Sequence, residues 1–331
     1  MTEQVAHNIY RIGVELPGNP LRETNSYFVR GDDRDLLIDT GFRLEVCERA
    51  LREGLEELGS DPARRDVLMT HFHADHGGLA DLFVGPQRHI YVGRQDFDYR
   101  QKLAREESPE EYHLRFLSMG FSEEECQAVA QNAPSRLTRL LTEDPRITKL
   151  EDGDVLRVGE YQLTFVVCAG HTPGNAMLYD AKQGIMFSGD HILFDISPNI
   201  TSWPFVEDSL GDYLENLRKA DTYDVRQTLP GHRKTGDYHQ RIAHLLTHHE
   251  KRLHEILEIL NEQPDLTAYE IASRMRWRIR ADSWDTFPIN QKRFAAGECQ
   301  AHLDYLLKRH QIVCSLQDGI FYYRCAPDTA V

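Results

Sequence analysis

Residues 67–78 read VLMTHFHADHGG, and the reading of this stretch decides the fold. Val67 to Met69 is a short apolar run, the pattern of a buried strand, and it leads directly into His71, His73, Asp75 and His76. On an extended loop leaving a strand, side chains two residues apart point the same way, so the imidazoles of His71 and His73 can share one cation. Where the chain turns into a helix, Asp75 and His76 swing away from that pair and can reach a second cation. With 16 histidines in the chain, an H-x-H-x-D-H run arises by chance in roughly 3 of 1,000 such sequences.

On both sides of this loop the chain alternates between strand and helix patterns. Ile9 to Ile12, Ser26 to Val29 and Leu36 to Ile38 read as short antiparallel strands separated by the turns PGNP and GDD. Leu44, Cys47, Leu51, Leu55 and Leu58 recur at three- and four-residue steps, which predicts one helix packed on the sheet through a single face. Ile90 to Val92 is a further strand. Residues 93–149 then carry a helical pattern, with N-terminal signatures at Ser108-Pro109-Glu110-Glu111 and Ser122-Glu123-Glu124-Glu125 and a break at Asn132-Ala133-Pro134. So long an insertion between strands reads as a helical cap over a binding site. Strand patterns return at Val155 to Val158, Tyr161 to Val167, Met177 to Tyr179 and Ile185 to Phe187. Strand runs followed by helices in both halves predict an α/β fold, a sheet on a sheet with helices outside, the αβ/βα sandwich.

A last module begins near Thr247 and divides the chain into residues 1–246 and 247–331. A helix leads to Thr267, which with Glu270 forms a capping box for the next helix. Phe294 to His310 is a third helix, followed by two short strands around Gln317-Asp318-Gly319. Three helices and a hairpin make the order of a winged helix, an α+β unit. His244, His248, His249 and His254 fall at helical spacing and predict an exposed helix face. Arg274, Arg276, Arg278 and Arg280 form the one basic stripe, read as a solvated face.

The net charge is −15, of which −14 falls on residues 1–246. A field of that sign repels a phosphate backbone and argues against broad nucleic-acid affinity, without excluding a local basic site. No apolar run reaches the ~20 residues that span a bilayer, and the first residues lack a secretory pattern, so a soluble cytoplasmic chain is expected with no membrane partner. The six cysteines form no C-x-x-C pair and are expected to be reduced and packed.

The H-x-H-x-D-H run resembles the signature of the metallo-β-lactamase superfamily, and later landmarks follow in that family's order over roughly residues 8–245. These are CAGHTPGNAM with His171, FSGDHIL with Asp190 and LPGHRKT with His232. The resemblance implies that His71, His73 and His171 hold a first metal ion, that Asp75, His76 and His232 hold a second, and that Asp190 bridges both. Asp39 in LLIDTG also matches a family position, one with a supporting role. Asp190 stands where many true β-lactamases carry cysteine, which lowers the odds of antibiotic hydrolysis. His73 stands where oxygen-reducing diiron relatives carry glutamate, which disfavours redox chemistry. The C-terminal module resembles the winged-helix appendage of β-lactamase-like endoribonucleases, and its third helix lacks the basic face that reads DNA, so packing or homodimer formation is expected of it.

This ligand set implies a binuclear hydrolase in which a hydroxide shared by two divalent cations attacks a small-molecule acyl substrate, an ester or thioester. Asp75 is the candidate catalytic group, as proton acceptor or water-orienting carboxylate, beside its ligand role. Nitrogen and oxygen donors suit zinc, with iron or manganese open through metal supply. The chain resembles hydroxyacylglutathione hydrolases and acyl thioesterases. The alternative, motivated by the winged-helix resemblance, is metal-dependent cleavage of single-stranded RNA.

Overall fold

The computed structural model describes residues 2–131, 144–277 and 283–327. The chain forms two compact units, one of Met1–Gln101, Pro134–Pro198 and Leu217–Ile242, the other of Lys102–Ala133, Asn199–Asn216 and Ala243–Val331. In the first unit, one sheet holds β1 (Thr2–Ala6), β2 (Ile9–Glu15), β3 (Glu23–Val29), β4 (Asp35–Ile38), β5 (Arg65–Leu68), β6 (Ile90–Gly93) and β7 (Ile147–Leu150) in chain order. Its pairings are antiparallel as far as β4 and parallel from β4 to β7. The second sheet runs β12-β11-β10-β9-β8, built from β8 (Val155–Val158), β9 (Tyr161–Val167), β10 (Ala176–Asp180), β11 (Ile185–Gly189) and β12 (Gln227–Pro230).

Strand alternation sorts the core into two layers. Tyr27, Val29, Ile38 and Leu68 turn to one face and join Leu163, Phe165, Leu178 and Phe187 of the second sheet in a single buried cluster. Phe28, Leu37 and Val67 turn to the other face and meet Cys47, Leu51 and Leu55 of α1 (Glu45–Glu57), the stripe that the spacing of apolar residues predicted. The chain after β5 forms the short helices α2 (Ala74–Gly77) and α3 (Ala80–Phe83).

Between β6 and β7 lie α4 (Arg94–Glu106), α5 (Pro109–Ser118) and α6 (Glu123–Gln131). Ser108 and Glu111 form the expected capping box, and Ser122 and Glu125 exchange the equivalent pair of hydrogen bonds. The expected break at residues 132–134 lies outside the described residues. The second unit continues with α7 (Ser209–Ala220), which begins in it, then α8 (Tyr238–Glu262), α9 (Ala268–Arg274), α10 (Ile289–Lys308) and the hairpin β13 (Ile312–Gln317) and β14 (Ile320–Cys325). The helix, helix, helix, hairpin order is the expected one. Residues 102–133 share this unit: the Tyr269 amide donates to the Met119 carbonyl at 2.9 Å, and Tyr269 Oη and Lys292 Nζ both donate to Glu125, at 2.5 and 2.9 Å. The sequence reading placed these residues within 1–246.

Some elements differ from expectation. β7 lies inside the stretch read as wholly helical, because a four-residue strand at a sheet edge, mostly half-buried, leaves no apolar run. β1, β12 and α7 were not foreseen. His249 is buried, in contrast to the exposed face expected for it, because α8 packs there on α10 and His249 Nδ1 lies 3.1 Å from His302 Nε2. Arg278 and Arg280 lie outside the described residues. All six cysteines are free thiols, four of them buried. Among the described residues no helix is long and apolar enough to cross a membrane.

Candidate metal centre

Four strands of the first unit deliver the seven sequence-predicted residues. β5 leads into His71, His73, Asp75 and His76, β9 into His171, β11 into Asp190 and β12 into His232. Strand carboxyl ends are where open α/β sheets place their ligands. All seven residues come together in three overlapping groups with donor atoms within 4.8 Å of one another: His71, His73 and His171; His71, His76 and Asp190; Asp75, His76 and His232.

In the first group, His73 Nδ1 lies 3.0 Å from both His71 Nε2 and His171 Nε2. In the last, His76 Nε2 and His232 Nε2 are 3.2 Å apart, with Asp75 Oδ2 3.4 Å from His232 Nε2 and 3.9 Å from His76 Nε2. Asp190 borders every group. Its Oδ2 is 3.7 Å from His171 Nε2 and 3.4 Å from His232 Nε2, and its Oδ1 is 3.5 Å from His76 Nε2.

Partners behind the rings fix which nitrogen faces inward. Thr70 Oγ1 donates to Asp39 Oδ2 at 2.8 Å, which leaves its lone pair to accept from His71 Nδ1–H at 3.0 Å. His76 Nδ1–H donates to Asp39 Oδ2 at 2.7 Å, and His232 Nδ1–H to the Glu23 carbonyl at 2.7 Å. Each of these imidazoles therefore turns its Nε2 toward the centre. Asp39 thus holds two inward-facing rings, one directly and one through Thr70.

Nitrogen lone pairs packed this closely call for a positive charge between them. Burial and the neighbouring imidazoles push His71 well down, and burial with His171 pushes His73 down to about 3. Burial opposes charge on His76 and His232, but the carboxylates of Asp39, Asp190 and Asp75 outweigh it, raising His76 far above its ordinary value and His232 to about 10. Burial likewise opposes charge on Asp190 and Asp75, and His76 and His232 nevertheless hold both carboxyls well below the usual range. The buried Oδ1 of Asp190 has no hydrogen-bond donor among the described residues. Convergent imidazole nitrogens and an orphaned carboxylate oxygen form a donor set that fits divalent cations.

Asp39 was expected in a supporting role, and sequence reasoning missed the other supports of this centre. Asn25 Nδ2 donates to the carbonyls of Pro230 and Arg233, on either side of His232, at 2.9 Å each. Gly231 has no room for a side chain, since a Cβ there would sit 2.5 Å from Asp190 Oδ1 and 2.9 Å from His76 Cε1. Thr70 was within reach of the reading, as the neighbour of His71. Asn25 carries no local signal, because its partners are distant in the chain.

A two-sheet sandwich with histidines and aspartates gathered at its strand ends defines a class of metal-site hydrolases. The family model of the metallo-beta-lactamase superfamily matches residues 19–232, and the chain belongs to that superfamily and is a hydrolase of it. It is 32% identical over 224 residues to the acyl-coenzyme A thioesterase MBLAC2 of Homo sapiens, covering 64% of this chain and 73% of the relative. It is 25% identical over 322 residues to the Probable metallo-hydrolase YqjP of Bacillus subtilis, covering 90% and 92%. Among solved structures, it is similar to a beta-lactamase domain protein from Burkholderia ambifaria, with a TM-score of 0.84, 26% identity, and 98% and 94% of the two chains covered. A metallo-beta-lactamase family protein from Thermus thermophilus aligns with a TM-score of 0.80 and 27% identity, over 97% of this chain and all of the other.

Proposed function

We propose that the chain is a binuclear-metal hydrolase of small acyl thioesters and esters. His71, His73 and His171 would hold one divalent cation, Asp75, His76 and His232 the other, and Asp190 would bridge them. The observation that carries this reading is the position of Asp190, whose two carboxylate oxygens border both sets of imidazoles. The donor set suits zinc, with iron or manganese open through metal supply. A thioester substrate is supported by the names of relatives, the acyl-coenzyme A thioesterases of Homo sapiens and Bos taurus and an atrochrysone carboxyl ACP thioesterase of Aspergillus novofumigatus. The charge of −14 on residues 1–246 disfavours a phosphodiester backbone as substrate. Six free thiols suit a reducing compartment such as the cytoplasm.

Bound divalent cations would supply Lewis acidity for the carbonyl and a water that ionises near neutral pH. The chain supplies orientation and proton handling. Thr70, Asp39 and the Glu23 carbonyl fix three imidazoles with Nε2 inward. Asp75 keeps its carboxylate form at neutral pH through His76 and His232, so its Oδ2 can accept a hydrogen bond from an attacking water and orient it, while a carboxyl held that low is a weak proton acceptor.

The test is hydrolysis of an acyl thioester panel, an aryl ester and a labelled single-stranded RNA, with and without a chelator. Thioester turnover should disappear with the chelator and in His71→Ala, while the RNA stays intact. RNA cleavage that vanishes in His71→Ala, with the acyl substrates untouched, would overturn the reading.

A further inference from the structure

Asp96 is buried in the first turn of α4, and its carboxylate is spent on two loops that carry imidazoles. Its Oδ2 accepts from the Phe72 amide at 3.0 Å and from Thr172 Oγ1 at 2.9 Å. Its Oδ1 accepts from the Gly174 amide at 2.5 Å. Phe72 lies between His71 and His73, and Thr172 follows His171. One side chain thus spans 24 and 76 residues of sequence to join the segments that bear the whole His71, His73 and His171 group.

Neither segment has slack. The Thr172 carbonyl accepts from the Gly170 amide at 3.0 Å and closes the turn that holds His171. A Cβ on Gly174 would meet the Asp96 amide at 2.3 Å, so the turn is seated directly on the start of α4. On the other loop, the Met69 amide donates to the Tyr91 carbonyl and the Thr70 carbonyl accepts from the Ala176 amide, each at 2.9 Å. Beyond Thr70, the amide that lies between the two histidines is held by the Asp96 carboxylate.

We propose that Asp96 is a positioning residue that sets the separation of His71 and His73 from His171, and so tunes one of the two cation sites and not the other. This rests on the reading of that imidazole group as a metal site. Loss of the clamp should act on the His71, His73 and His171 group alone, because His76 and His232 are tied instead through Asp39, Glu23 and Asn25, and the Asp75 carbonyl accepts from Thr24 Oγ1. Partners that orient ligands from behind typically account for 10–100-fold in metal affinity.

The experiment is competitive zinc titration against a chromophoric chelator, with urea unfolding alongside, on the full chain and on Asp96→Ala, Asp96→Asn, Thr172→Val and His73→Ala. Wild type should take up two ions. In Asp96→Ala one of them should weaken by about 10–100-fold while the other keeps the affinity of the ion retained by His73→Ala. Asp96→Asn, which retains one acceptor oxygen, and Thr172→Val, which removes one donor of three, should give smaller losses at that same ion. Equal weakening of both ions, in step with lost stability, would mark Asp96 as structural only and overturn the proposal. So would two ions bound with wild-type affinity in Asp96→Ala. A wild-type chain that binds no ion would instead overturn the metal reading itself, and this inference with it.

Discussion

His76 Nε2 lies 3.2 Å from His232 Nε2, on rings whose Nδ1–H groups both donate outward, one to Asp39 and the other to the Glu23 carbonyl. Two lone pairs at that distance repel unless a proton or a cation lies between them. Although burial works against charge on both rings, surrounding carboxylates raise them, His232 to about 10. The cation-free protein therefore carries protons here at neutral pH. A cation entering the Asp75, His76 and His232 group must displace them, so uptake releases protons and affinity rises with pH, about tenfold per pH unit for each proton displaced. Calorimetric titrations in two buffers of different ionisation enthalpy measure the release directly. At least one proton per chain is expected at pH 7, and pH-independent uptake without release would contradict the assignment.

Gly231→Ala tests the closeness of backbone and site. The added methyl would lie 2.5 Å from Asp190 Oδ1 and 2.9 Å from His76 Cε1, and the His76 ring is held on its far side by Asp39. Overpacking of this kind costs about 1–3 kcal/mol. A lower thermal midpoint together with at least a tenfold fall in thioester turnover is expected. Wild-type turnover in this variant would show that Asp190 can move freely.

The buried pair in the second unit gives a pH dependence of stability. His302 donates Nδ1–H to the Glu298 carbonyl at 2.8 Å and faces His249 with Nε2 at 3.1 Å. Burial lowers both, His302 to about 3 and His249 well below its ordinary value. In the unfolded chain each would titrate near its ordinary ~6.5. Unfolding thus takes up protons as the pH falls below that value. The stability is whole above about pH 6.5 and declines toward pH 3, by up to about 1.4 kcal/mol per pH unit for each proton. His302→Gln keeps a donor and an acceptor without titrating, and should flatten the fall in urea midpoint between pH 7 and 5. An unchanged slope would mean that the pair does not drive it.

Leu51→Ala probes the layer between α1 and the first sheet, where Leu51 is fully buried. A loss of about 2–5 kcal/mol in chemical unfolding is expected, with metal content per folded chain unchanged. Metal loss without loss of stability would place this layer in a different relation to the centre.

The sandwich and four of the seven candidate ligands had local signatures, while His171, Asp190 and His232 were reached only through the family resemblance. Apolar alternation marked β2 to β4, short apolar runs marked β5 and β6, apolar residues at three- and four-residue steps marked α1, and the H-x-H-x-D-H spacing marked the loop after β5. β7 (ITKL) and β12 (QTLP) escaped because neither carries the run of three apolar residues that marks the equally short β4 and β6. His249 was misread as exposed because helical spacing gives a face but not what covers it, and the partner, His302, is 53 residues away. Asp96 and Asn25 were invisible for the same reason: the groups they hydrogen-bond are remote in the chain.

The most direct measurement is elemental analysis of the purified full chain, beside His71→Ala and Asp190→Asn. Two tightly held divalent transition-metal ions per wild-type chain are expected, with fewer in each variant. A wild-type chain free of such metal after purification without chelators, and still free after dialysis against zinc, would contradict the account at its centre.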